Sequence, residues 1–142
     1  MRQDDRTEFN RLFAELAKRS RRGRWEPNAD VFLDEASGRV IVIVEVAGAD
    51  PENLRIGVDE SHLFIIGRRI DITRLQHGSF LQKEIEYGEF IKKIHLPVAV
   101  QYESVTATYQ DGILTIHLPV ASAAYVPTSR TEIRMTVKRT LV

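Results

Sequence analysis

From Trp25 to Pro119 the chain breaks into short apolar runs of period two, separated by turn chemistry. Val31 and Leu33 alternate with Asp30 and Asp34, with Phe32 on the polar side. Val40 to Val46 is nearly all apolar and β-branched, a pattern that predicts a strand covered on both faces. Leu54, Ile56 and Val58 alternate with Arg55 and Gly57, and Leu63 to Ile66 is a second continuous apolar run. Phe90, Ile94 and Leu96 share a face opposite Lys93 and His95. Val105, Ala107 and Tyr109 alternate with Thr106 and Thr108, and Leu114, Ile116 and Leu118 with Thr115 and His117. Ala36-Ser37-Gly38, the stretch from Ala47 to Pro51, Asp59-Glu60-Ser61 and Gln76-His77-Gly78 supply the breaks. Gln110-Asp111-Gly112 between two alternating runs is a hairpin signal, because Gly accepts the positive φ such turns need. Short strands at this spacing with little helix predict an all-β fold, an antiparallel β-sandwich, over residues 25–119.

Three segments stand outside that pattern. In residues 1–24, Phe9, Leu12, Phe13, Leu16 and Ala17 recur at helical spacing, predicting a short amphipathic helix near Thr7 to Arg19. A helix of three or four turns is marginal alone in water, so this arm needs a surface to lie on, its own domain or another chain. Ile70 to Tyr87 is long, charged and weakly alternating, and a loop of that length usually has a task. In residues 120–142, after a small-residue linker from Ala121 to Ala124, Ile133, Met135 and Val137 alternate with Arg134 and Thr136. An isolated strand of this length is unstable and must join a sheet edge or a groove, on its own chain or on a neighbour.

Composition narrows the function. The chain has 142 residues, 43% hydrophobic and 28% charged, in the range of an ordinary soluble domain. Its formal net charge is zero, which argues against a uniformly basic nucleic-acid binder. The arm is locally basic, with eight Lys and Arg against four Asp and Glu, and Lys18 to Arg24 could bind phosphate. That run has no interleaved aromatic besides Trp25, so a solvated junction is the favoured reading and a nucleic-acid role the alternative. Cys is absent, which excludes disulfide scaffolds, thiolate metal sites and Cys nucleophiles. His62, His77, His95 and His117 form no close ligand pair, so no metal or other cofactor is expected. Glu84, Glu86 and Glu89 could form an acid/base pair of the glycosidase kind. They stand among Lys83, Lys92 and Lys93 and read as solvated charge. Ser61, Ser79 and Ser104 lack a nucleophile elbow, and no phosphate-binding glycine loop occurs, so no enzyme is expected. No apolar run approaches the roughly 18 residues of a membrane span and no signal segment opens the chain, so the expected location is cytoplasmic.

Five segments, in register, resemble the small heat-shock proteins, the α-crystallin-domain or Hsp20 family of bacterial, archaeal and plant type. Ala107 to Leu114, with Asp111 and Gly112, is similar to the family's A-x-x-x-n-G-x-L hairpin. Pro27 to Val31 resembles its opening strand, and Glu45-Val46-Ala47-Gly48 its acidic–apolar–Pro–Gly turn, with Ala47 in place of Pro. Leu63 to Arg69 and Gly88 to Pro97 match in type and order.

The resemblance implies an immunoglobulin-like sandwich that forms dimers and higher homo-oligomers. It implies that the segment carrying Phe80, Leu81, Ile85 and Tyr87 is a strand swapped into a partner's sheet. The tail then resembles the family's I-x-I/V motif, which docks between two strands of another dimer. Here the groove would be lined by Leu54, Ile56, Val58, Val105, Ala107 and Tyr109. Met135 stands at the third motif position, so the docking pair is either Ile133/Met135 or Met135/Val137. The function expected is an ATP-independent holdase that binds partly unfolded proteins through the arm (Phe9, Leu12, Phe13, Leu16) and the groove. The alternative is a co-chaperone of related sandwich fold that binds a folded chaperone.

Overall fold

The computed structural model describes residues 8–15, 25–59, 61–73, 76–122 and 131–138. Among these, a helix over residues 8–15 (α1) is followed by β1 (Ala29–Asp34), β2 (Arg39–Glu45), β3 (Arg55–Val58), β4 (His62–Arg69), β5 (Gly88–His95), β6 (Thr106–Gln110), β7 (Ile113–Pro119), β8 (Thr131–Ile133) and β9 (Met135–Lys138). Two sheets form, in the orders β1-β2-β7-β6-β9 and β5-β4-β3-β8. All pairings are antiparallel except β6 with β9, which is parallel.

Side chains alternate across each strand, so one face of each sheet supplies the core. Val40, Val42, Val44 and Val46, Leu114, Ile116 and Leu118 meet Ile56, Val58, Leu63, Ile65, Phe90 and Ile94 between the sheets. Trp25 closes one end. Its indole donates to the Gly88 carbonyl at 2.9 Å, its ring meets Phe90 edge-on at 4.7 Å, and Arg69 lies over it at 3.8 Å. Arg69 also donates to the carbonyls of Ala47 and Glu86, pinning two loops to that corner.

The two continuous apolar runs behave differently. Leu63 to Ile66 is covered on both faces: Leu63 and Ile65 enter the main core, while Phe64 and Ile66 form a second cluster with Phe9 of α1, flanked by Leu12, Phe13 and Ile91. The expectation that Val40 to Val46 is also doubly covered is corrected. Ile41 is half-buried and Ile43 exposed, because no element described lies on the outer face of that sheet. Along β1, Val31, Phe32 and Leu33 are all exposed. His95 is exposed, whereas His117, expected on an outward face, is half-buried.

The tail departs from a single five-residue strand. β8 pairs with β3 in one sheet and β9 with β6 in the other, with Arg134 between them.

Candidate functional site

Three surfaces hold the residues singled out above. At the mouth of the sandwich, β3 and β6 are the neighbouring strands of opposite sheets, and the tail lies along both. Ile56, Val58, Leu54, Val105 and Ala107 are buried there and Tyr109 is half-buried. Ile133 stands opposite Ile56 and Met135 opposite Ala107, and both pack on the main core. Val137 pairs with Tyr109 but remains 38% exposed. Ile133 and Met135 are therefore the inserted pair in this arrangement, and the groove they fill belongs to their own chain. Burial of the Tyr109 phenol, with the Asp111 carboxylate as a second cause, pushes its pKa above 10.0.

The outer face of β3-β4-β5 carries α1. Phe9 is 1% exposed, seated over Gly57 and against Phe64, and Phe13 meets the Phe64 ring edge-on at 4.9 Å. Arg55, between them, connects both termini. Its guanidinium lies 5.7 Å from the Phe9 ring centre and 3.8 Å from the Glu8 carboxylate, and its Nε donates to Glu132 of β8 at 2.5 Å. Of the arm residues, Phe9 is buried in this pose and Leu12 and Phe13 are half-buried, while Leu16 and the basic run Lys18 to Arg24 lie outside the described residues. Neither Arg55 nor Gly57 was assigned a role from sequence. The available signal was a glycine inside a strand pattern, which marks a close approach by another group.

The third region is the loop from Ile70 to Tyr87. The loop's described residues form no strand. Phe80, Leu81 and Ile85 are exposed and Tyr87 is half-buried, with Lys83 over both the Phe80 and Tyr87 rings. Glu84 and Glu86 are exposed on the same loop. His62 and His95 face each other across β4 and β5, ring centres 5.3 Å apart, and no cluster of three potential metal ligands occurs among the described residues.

The hairpin Ala107, Asp111, Gly112, Leu114 joins the first surface to the fold. Asp111 and Gly112 both have positive φ, 53° and 82°, which closes the two-residue turn between β6 and β7. The Gly112 carbonyl accepts from the Val46 amide at 2.8 Å, and Gly112 lies tight against Ala47. The hairpin and the Glu45–Gly48 turn are therefore one packed unit.

Residues 34–137 match the family model described as Hsp20/alpha crystallin family. Small heat shock protein C4 of Rickettsia felis is 32% identical over 116 residues, covering 78% of this chain and 70% of that protein. The 18 kDa heat shock protein of Streptomyces albus is 27% identical over 126 residues, 87% and 86% of the two chains. Among solved structures, hspA from Xanthomonas axonopodis superposes with a TM-score of 0.63 at 26% identity, covering 71% of this chain and 99% of that one. A small heat-shock protein from Xylella fastidiosa, whose structure is described as revealing a distinct high order structure, gives 0.62 at 25% identity, covering 72% and 93%. With β2 to β7, the hairpin and the tail as far as Val137 inside the matched region, the chain belongs to the Hsp20/alpha crystallin family of small heat shock proteins.

Proposed function

We propose that this protein is an ATP-independent holdase: it binds partly unfolded polypeptides, keeps them from aggregating, and performs no catalysis. The observation that carries the reading is the occupancy of the β3–β6 mouth by two strands of three and four residues, which place only Ile133 and Met135 on the core. Strands so short are held weakly, and their release exposes an apolar groove with two pairing edges. Unfolding clients expose complementary features, apolar side chains at period two and unpaired strand edges. The chemistry needed is surface matching, which calls for neither nucleotide nor metal.

Self-association belongs to the same reading. The β1 edge presents Val31, Phe32 and Leu33 to solvent, and the loop bearing Phe80, Leu81, Ile85 and Tyr87, interspersed with charged Lys83, Glu84 and Glu86, is an extended segment of the right length to add to such an edge on a second copy. Exchange of that segment gives a dimer, and a tail that leaves its own groove and docks in that of a neighbouring dimer gives larger assemblies. A cysteine-free chain suits the reducing cytoplasm, the location this reading assigns.

The test is light scattering from a heat-labile protein, without ATP, with the full chain and with a chain ended before Thr131. Protection by the full chain, altered in extent or temperature by the truncation, supports the reading. No protection at a several-fold excess of chain over client sinks it.

A further inference from the structure

We propose that the outer face of β3-β4-β5 is a second binding site, specific for a phenylalanine preceded by an acidic residue, and that the chain's own Glu8–Phe9 is its resident occupant. The ligand class is a client segment with that pair on an amphipathic helix. Naming the ligand as a client rests on the holdase reading; the site itself does not.

Gly57 forms the floor of this site. Its strand neighbours Ile56 and Val58 point into the core, so position 57 faces outward, paired with Phe64 on one side and Glu132 on the other. A Cβ at position 57 would lie 2.6 Å from Cζ of Phe9 and closer still to Cε1. The ring thus occupies space that exists only because the residue is glycine. The walls are Phe64 and Ile66, with Ile91 beside them. The rim carries both signs: Arg55, ion-paired to Glu132, also approaches the Phe9 ring and the Glu8 carboxylate, and Lys93 lies 5.9 Å from the Phe64 ring centre. An aromatic ring in a glycine-floored socket under a guanidinium, with a carboxylate next to it, is a recognition pattern with two independent elements. Only Phe9 of the helix is fully buried, so the arm is held chiefly by one knob, and any segment offering the same knob and charge competes for the same hole.

The experiment uses the full chain and two fluorescently labelled peptides. One has the sequence of residues 7–15, and the other is an unrelated amphipathic helix containing Glu-Phe at the same spacing from two apolar residues. Phe9→Ala empties the socket and should bind both peptides at least tenfold more tightly than the unsubstituted chain. Adding Gly57→Ala refills the floor and should reverse that gain. Gly57→Ser is the second variant if the first misfolds, with circular dichroism reporting the fold. Arg55→Gln in the Phe9→Ala background should weaken the Glu-Phe peptide at least threefold more than a Gln-Phe version, which loses only the contact of the guanidinium with the ring. Equal binding by unsubstituted and Phe9→Ala chains overturns the proposal, as does indifference to Gly57. Binding of the arm sequence but not the unrelated peptide assigns the socket to sister arms and overturns the client role. If neither peptide binds while light scattering still shows protection, this inference falls and the holdase reading stands. If both bind but no chain protects, the holdase reading falls and takes the client role with it.

Discussion

Gly112 and Tyr109 each have a consequence that can be measured. At Gly112 the φ of 82° strains any residue with a side chain, and an added Cβ would also come within 3.0 Å of the Ala47 backbone. Gly38 has a similar φ of 66° with nothing within 4 Å. Gly38→Ala should therefore cost only the backbone term, about 1 kcal/mol. Gly112→Ala should cost more, about 2–3 kcal/mol, because the β6–β7 turn must also move off Ala47. Urea midpoints of the two variants check the difference. Tyr109 gives a pH dependence. Burial raises its pKa in the folded state, so on raising pH the unfolded chain loses the phenolic proton first. The folded state then binds more protons than the unfolded one, and stability falls as pH rises through 10.0 toward the higher folded value. Comparing urea midpoints of the unsubstituted chain and Tyr109→Phe between pH 8 and 11 should show a steeper alkaline decline in the former.

The tail and β4 show what an element needs beyond its own pattern. Ile133 and Met135 sit on the core while Val137 stays largely outside it, so the three alternating positions are not equivalent. Ile133→Ser or Met135→Ser should remove about 1–2 kcal/mol of docking free energy, the burial of a half-covered apolar side chain. That is roughly five- to thirtyfold in the release equilibrium, read as lost amide protection over residues 131–138 and at the facing edges of β3 and β6. Val137→Ser should change protection little. The strands themselves, their order and the β6–β7 turn were legible in the sequence, because period two and Asp-Gly chemistry are local. What covers the second face of a strand is not local: Val40 to Val46 and Leu63 to Ile66 look alike as strings, yet only the latter lies beneath α1. The groove residues were legible as a set of inward positions, whereas the bridging of two sheets by the tail depended on which edges end up side by side.

For the whole molecule, charge and apolar exposure are unevenly placed although the net charge is zero. The β1 edge and the loop from Ile70 to Tyr87 are the most apolar exposed parts of the described structure, with Leu81 fully exposed and Phe32 59% exposed. Edges of this kind are normally blunted by charge, bulges or a covering element, so here they are expected to be covered by another copy. Leu81→Asp with Ile85→Asp should reduce the mass seen by multi-angle light scattering to that of smaller species, at least twofold, without loss of far-ultraviolet strand signal. An unchanged mass would remove the loop from the assembly. The termini add a second level of organisation, since Arg55 contacts Glu8 of α1 and Glu132 of β8 at once, and neither contact can be anticipated from a spacing of 47 and 77 residues.

By itself the sequence determined the all-β class, the strand periods, the hairpin turn, the family and the two apolar termini, because each follows from a local pattern or a short motif. The tertiary structure alone decided that the tail lies along its own β3 and β6, that Ile133 and Met135 rather than Val137 reach the core, and that Phe9 seats over Gly57. The reason is geometric: alternation says which residues share a face, but only the packing of two sheets says which faces meet and where a missing side chain leaves room for a ring.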